Sequence, residues 1–162
     1  ITKISQVPEY LGGAEKMMVG ITLQVLGDAR GSILLLFPQE SAHRLLCELL
    51  GSQSKALIMN EETISTLKEV GNILASAYLS ALGNMLHKTL RPSVPLLAYD
   101  MARAVVDYVL IDLCKSSDLA MLVETDFTGE SASKLAIKGH FFLLPDPSTL
   151  EIFSMRPEDN HD

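Results

Sequence analysis

The stretch that most constrains the fold runs from Asn60 to Leu90, which we interpret as one long helix. Asn60 is a suitable N-cap, because its side-chain oxygen can accept a hydrogen bond from a free N–H group of the first turn. Glu61 and Glu62 then place negative charge where the helix dipole favours it. Pro92 stops the run, since the residue before a proline is disfavoured in helix. We expect the other elements to be arranged around this helix.

A period of about 100° per residue divides this helix into two faces. The predicted core face contains Leu67, Val70, Leu74, Ala77, Tyr78, Ala81 and Met85. The opposite face contains Ser65, Glu69, Asn72, Ser76, Ser80, Gly83 and His87. Its mostly short side chains would let another molecule approach the backbone, whereas a solvated face normally carries long charged ones. Glu69 and Asn72 have the reach to project from it, side by side because they are three residues apart.

Gly71 lies inside this helix, although glycine costs about 1 kcal/mol relative to alanine there. One interpretation is tight packing of a core neighbour, because Gly71 lies nearer the apolar face. The other is a functional requirement next to Asn72. The sequence favours neither.

Composition limits the class of protein. A chain of 162 residues with 48% apolar residues suits one domain, for which we take residues 1–155, with an acidic tail over 156–162. The net charge of −7 argues against nucleic acid or an anionic membrane as partner. No run approaches the roughly 18 apolar residues of a membrane span, so we expect no membrane insertion and a cytoplasmic location. Cys47 and Cys114 are expected to be buried thiols.

The remaining pattern predicts an α+β fold. The predicted strands are Met17–Gly27, Ser32–Phe37, Leu119–Thr128 and Ser133–Leu144, and the predicted further helices are Gln39–Leu50, Asp100–Lys115 and a short one from Ser148 to Phe153. Gly51 would end the first of these helices.

The two halves of the chain share one order of elements. In each half, two strands joined by a Gly-Asp or Gly-Glu turn end at a proline and are followed by a short helix. This indicates a duplicated unit. Because a long helix precedes the second strand pair, we expect the first copy to have its own long helix upstream of residue 1.

Four residues carry a family resemblance. Ser65 is followed after three residues by Glu69, after two more by Asn72, and after 22 more by Pro95. This spacing resembles the signature of the CheC/CheX/FliY family, chemotaxis phosphatases that hydrolyse the phosphoaspartate of the response regulator CheY. The resemblance covers nearly the whole chain and implies a pseudo-duplicated CheC-like domain, with antiparallel strands packed with long helices.

The resemblance also implies a separate role for each of these residues. Asn72 would orient a water for in-line attack on phosphorus, and Glu69 would engage a lysine of phosphorylated CheY. Ser65 and Ser76 would lie at the contact with that partner, and Pro95 would shape the loop after the helix. Mg²⁺ would be supplied by CheY, so we expect no metal site or other cofactor in this chain.

Alternatives remain open at this point. Taken singly, Asn72 and Glu69 are typical exposed polar residues, Pro95 is a turn former, and the histidines form no recognisable ligand pair. A non-catalytic adaptor that binds CheD, the receptor deamidase, or flagellar switch proteins is the second hypothesis. Homodimerisation through strand edges, which CheX-like relatives show, is a further expectation.

Overall fold

The computed structural model describes residues 2–3, 6–10, 12–51, 56–113, 119–127 and 137–146. The elements in chain order are β1 (Thr2–Lys3), α1 (Val7–Tyr10), β2 (Met17–Gly27), β3 (Gly31–Pro38), α2 (Gln39–Leu50), α3 (Glu61–Leu86), β4 (Leu90–Pro92), β5 (Leu96–Met101), α4 (Ala102–Leu113), β6 (Leu119–Phe127) and β7 (Ile137–Pro145). The predicted mixture of helices and antiparallel strands is confirmed.

One antiparallel sheet contains all the described strands. Its order is β1-β6-β7-β3-β2-β4, and β5 also pairs with β2. Strand β3 lies at the centre, between β2 and β7. Its residues from Gly31 to Phe37 are all buried. Such a strand needs a continuous apolar run, because helices cover the sheet on both sides.

Successive residues of β2 and β3 face two separate cores. The core beneath α2 and α3 includes Ile21, Leu23, Ile33, Leu35, Leu67, Ala75 and Leu79. The core beneath α1 and α4 includes Val7, Met18, Leu34, Leu36, Val105, Val106 and Phe142. The alternation follows from the two-residue period of a strand, which points neighbouring side chains to opposite faces.

The start of α3 agrees with the sequence, but its end does not. Asn60 Oδ1 accepts a hydrogen bond from Thr63 N–H, and Thr63 Oγ1 accepts one from Asn60 N–H, both at 2.9 Å. The helix was predicted to reach Leu90 and instead ends at Leu86. His87 adopts a left-handed conformation with φ of 53°, and Lys88 N–H donates to the carbonyl of Gly83. The chain reverses there because β4 pairs with the end of β2.

The buried face of α3 is turned about its axis from the predicted one. The buried residues are Leu67, Gly71, Ala75, Leu79 and Gly83. Val70, Leu74 and Tyr78 pack against that core at its margin, whereas Ala77, Ala81 and Met85 are exposed. Gly83 was placed on the polar face, yet a Cβ there would lie 2.5 Å from the carbonyl oxygen of Lys88. Three of the five buried residues, Gly71, Ala75 and Gly83, are small, and they let the helix backbone lie close to its neighbours.

One more strand and one helix boundary differ from the prediction. The sequence pattern did not predict β5, and α4 starts at Ala102 rather than Asp100. The N–H groups of Ala102 and Arg103 donate to the carbonyls of Lys16 and Ala14, so a distant part of the chain fixes the start of α4. Helix α2 spans Gln39–Leu50, as predicted. It ends at Gly51, which has φ of 63° and was also predicted to end it.

Some expectations fall on residues outside the described part of the chain. These are the turn at Gly129-Glu130, Cys114, the short helix from Ser148 and the tail over 156–162. Cys47 was expected to be buried and is half-buried near the end of α2, with its Sγ 3.4 Å from His43 Nε2. Among the described residues, no helix is both long enough and apolar enough to cross a membrane.

Candidate functional site

An open groove of about 430 Å³ lies between α3 and the chain that links β4 to β5. Its lining residues are Ser65, Lys68, Glu69 and Asn72 from α3, Pro92 from the end of β4, and Ser93, Val94 and Pro95 from the linking chain. The groove therefore has a helical wall that carries the polar groups and a second wall from the edge of the sheet.

The polar side chains of the helical wall are available to a molecule outside the chain. Ser65 and Glu69 are exposed, and Lys68 and Asn72 are half-buried. Across the described residues, none of these four side chains takes part in a hydrogen bond or an ion pair. Their donors and acceptors are thus not committed to holding the fold together.

A β-bulge forms the second wall. Ser93 N–H donates to the Gln24 carbonyl at 2.9 Å, and Gln24 N–H donates to Ser93 Oγ at 2.8 Å. Leu96 then pairs with Thr22, so the edge chain fits Val94 and Pro95 opposite the single residue Leu23. Pro95 suits this position because a bulged edge residue need not donate a ladder hydrogen bond. The bulge is pinned to β2 at Ser93.

Close packing of α3 on β2 sets the position of the helical wall. A Cβ at position 71 would lie 2.7 Å from Cγ2 of Ile21, which is fully buried. Of the two interpretations of Gly71, tight packing of a core neighbour is therefore confirmed. Because Gly71 lies against β2, the next residue, Asn72, is half-buried at the groove rather than raised above the sheet.

Most of the residues singled out by spacing meet in this groove. Ser65, Glu69 and Asn72 line one wall, and Pro95 lines the other, 23 positions after Asn72 in the chain. Ser76 lies one turn further along α3, is half-buried, and is not among the lining residues.

Sequence reasoning missed four lining residues, Lys68, Pro92, Ser93 and Val94, of which Pro92 was predicted only to stop the helix. Lys68 could have been found from its position four residues before Asn72, which places the two side chains together on a helix. Val94 is 81% exposed, so the groove has an apolar residue at its rim. No pattern in the sequence points to Ser93, because its role depends on the pairing of β2 with the edge chain.

The segment that forms the groove is also similar in sequence to a known protein family. The sequence model of the CheC-like family matches residues 62–99, which contain the helical wall and the bulge. The CheY-P phosphatase CheC of Bacillus subtilis is 32% identical over 154 residues, which cover 93% of this chain and 73% of that protein. The chain belongs to the CheC-like family. The resemblance predicted from the four spaced residues is thus confirmed.

Two other comparisons show similarity, one in sequence and one in fold. The putative CheY-P phosphatase CheC1 of Halobacterium salinarum is 35% identical over 100 residues, which cover 59% of this chain and 51% of that protein. The crystal structure of FliY from Thermotoga maritima matches with a TM-score of 0.68 at 13% identity, over 94% of this chain and 75% of that one. The latter similarity is one of fold alone.

Proposed function

We propose that this CheC-like protein is a phosphatase that hydrolyses the phosphoaspartate of a CheY response regulator. The observation that carries the proposal is the groove, which brings Ser65, Glu69, Asn72 and Pro95 to one place although Pro95 is distant in sequence. The support from relatives is that two of them, in Bacillus subtilis and Halobacterium salinarum, are named as a CheY-P phosphatase and a putative one.

In the proposed reaction, the side-chain amide of Asn72 holds a water molecule in line with the bond that breaks. The water oxygen bonds to phosphorus while the bond from phosphorus to the aspartyl oxygen breaks. The products are inorganic phosphate and the free carboxylate, with the proton of the water passing to phosphate. Phosphoryl transfer depends mainly on positioning and electrostatics, so an amide and a carboxylate can suffice. A 100- to 1,000-fold acceleration needs only about 3 to 4 kcal/mol.

The other lining residues would orient the two proteins. Glu69 is exposed and would bind a lysine of the response regulator, while Ser65 lies one turn earlier on the same wall. Ser76, one turn beyond Asn72, would extend this contact outside the groove. The exposed rim residue Val94 adds apolar contact area. We propose that Mg²⁺ is supplied by the response regulator and that this chain contributes no cofactor of its own.

The test of this function is the decay of phosphorylated CheY from the same organism, in Mg²⁺, with and without the protein and its Asn72→Ala variant. Loss of the amide is expected to lower the stimulated rate constant about 100-fold or more, because the water loses its positioning group. The melting temperature should stay unchanged, since Asn72 makes no hydrogen bond within the described part of the chain. Stimulation that survives in Asn72→Ala would rule out the water-positioning role.

The Glu69→Ala variant distinguishes an effect on the binding of CheY from an effect on the hydrolysis step. It is expected to raise the concentration of protein needed for half-maximal stimulation about tenfold, with a smaller effect on the maximal rate, because an interfacial ion pair is lost. If the folded wild-type protein does not stimulate decay at all, the adaptor hypothesis gains support. Binding to CheD and to flagellar switch proteins would then be measured directly.

We further propose that the fold is a pseudo-duplicated unit. The supporting observation is a reciprocal exchange of edge strands. Strand β1 precedes the β2–β3 hairpin but pairs with β6, while β5 precedes the β6–β7 hairpin but pairs with β2. The two hairpins meet through the antiparallel pair β3 and β7. Homodimerisation through strand edges stays a prediction.

A further inference from the structure

Lys68 places a positive charge in the groove beside the proposed water-positioning amide. Lys68 precedes Asn72 by four residues and Glu69 precedes it by three, and side chains at both spacings are neighbours on an α-helix. Asn72 is therefore flanked by a cation on one side and an anion on the other. All three side chains line the same groove. A group that binds against Asn72 lies within reach of the Lys68 ammonium.

Lys68 has no counter-ion among the described residues. Its neighbours one turn away on α3 are Ile64, Ser65, Gly71 and Asn72, none of which is charged. Within the part of the chain that the structure describes, Lys68 takes part in no hydrogen bond or ion pair. A half-buried ammonium attracts an anion more strongly than one in open water, because the screening by solvent is weaker.

We propose that Lys68 binds the non-bridging oxygens of the phosphoryl group while Asn72 positions the water, an inference that rests on the phosphatase function proposed above. The phosphoryl group of an aspartyl phosphate is anionic, and its charge is spread over three equatorial oxygens during transfer. A cation fixed beside these oxygens stabilises that charge. No covalent bond to Lys68 forms. With Glu69 directed to a cation of the partner, the two charges fix the orientation of the phosphorylated site across the groove.

The anion could come from two sources in the same partner, the phosphoryl group or a carboxylate of the response regulator. These sources are distinguished by the dependence of binding on phosphorylation. A third role for Lys68, packing of its aliphatic stem against the wall of the groove, involves no charge at all. Lys68→Met keeps the stem and removes the charge, and Lys68→Arg keeps the charge.

The experiment compares Lys68→Met and Lys68→Arg with Lys88→Met, which removes an exposed cation outside the groove. Two quantities are measured: the stimulated decay of phosphorylated CheY, and the affinity for CheY with and without Mg²⁺ and beryllofluoride, a mimic of the phosphoryl group. Lys68→Met is expected to lower the maximal stimulated rate constant about 10- to 100-fold, as for loss of a charged hydrogen bond. Its affinity should fall for the beryllofluoride form and stay the same for the free form. Lys68→Arg should retain most of the activity, and Lys88→Met all of it.

Two results would overturn the proposal. An equal loss of affinity for both forms of CheY would assign Lys68 to a carboxylate of the partner. If Lys68→Met changes neither the rate constant nor the affinities, the charge of Lys68 has no role, and Lys68 acts only through packing of its aliphatic stem. Failure of the proposed function gives a different result, because wild-type protein would then give no stimulation. Melting temperatures of the variants show whether each is folded.

Discussion

At the scale of single residues, the groove depends on side chains of two kinds. Asn72, Glu69 and Lys68 have no partner within the described part of the chain, and they are the groups proposed to meet the substrate. Ser93 has the opposite character, because its backbone and its hydroxyl both bond to Gln24 in β2. It holds the second wall at a fixed place. A site of this type needs both kinds of residue, since free groups are useful only on a rigid support.

Ser93→Ala tests that support. The change removes the acceptor for the Gln24 N–H but keeps the backbone hydrogen bond, so the free energy of unfolding should fall by about 1 kcal/mol or less. Stimulated decay of phosphorylated CheY should fall about three- to tenfold, because Val94 and Pro95 are held less firmly. Ser93→Thr retains the hydroxyl and serves as the matched control. Equal activity in the alanine variant and the wild type would show that the hydroxyl does not support the groove.

At the scale of elements, the placement of α3 on β2 decides where the helical wall lies. Gly71 allows the helix to contact Ile21, and Gly83 allows the chain to return beneath the end of the helix at Lys88. The stripe that packs on the sheet therefore consists partly of residues with no side chain. Hydrophobic periodicity cannot identify such a stripe, which is why the predicted core face was displaced toward Ala77, Ala81 and Met85.

Gly71→Ala should move α3 away from the sheet. Alanine would gain about 1 kcal/mol of helix propensity, but its Cβ would overlap the buried Ile21, and overpacking costs about 1 to 3 kcal/mol. We expect a net destabilisation of about 1 kcal/mol, measured by urea denaturation, with reduced phosphatase activity. In an Ile21→Ala background the same change should become neutral or stabilising, since the overlapping methyl group is gone. Additive effects of the two substitutions would exclude this contact as the reason for glycine.

At the scale of the whole molecule, the groove lies at the edge of the sheet formed by β4 and β5, and β2 separates this edge from the central strand β3. Strand β3 is paired on both sides and buried on both faces, whereas β4 and β5 share one edge of β2 and are interrupted by the bulge. Stability is distributed unevenly in such a fold, because opening of an edge exposes less apolar surface than opening of the centre.

Amide hydrogen exchange should report this distribution. Amides of β3 are expected to exchange most slowly, at rates set by global unfolding, and those of Ser93, Val94 and Leu96 much faster. Addition of CheY with Mg²⁺ and beryllofluoride should protect the amides of residues 65–72 and those of Ser93, Val94 and Leu96, since the prolines at 92 and 95 have no amide hydrogen. The helix α4 is the internal control, because it packs in the core on the other face of the sheet. Protection confined to other parts of the chain would place the docking surface elsewhere.

The sequence by itself determined several elements and the composition of one wall of the site. Asn60 fixed the start of α3 through its own side chain, and Gly51 ended α2 because glycine readily adopts positive φ. The strands β2 and β3 followed from an apolar run between turn residues. Glu69 and Asn72 were brought together by helical spacing alone. In each of these cases, the cause lies within a few residues of its effect.

Only the tertiary structure decided the rest. The end of α3 at Leu86, the strand β5 and the start of α4 depend on backbone partners in β2 and before it, which are distant in sequence. The spacing of Pro95 from Asn72 carried a family resemblance, but the position of Pro95 opposite Asn72 comes from the bulge pinned by Ser93 to Gln24. Lys68 became notable because it lines the groove and, within the described part of the chain, takes part in no ion pair. Local periodicity does not encode which distant segments pair, because the backbone hydrogen-bond partners of each strand lie in another part of the chain.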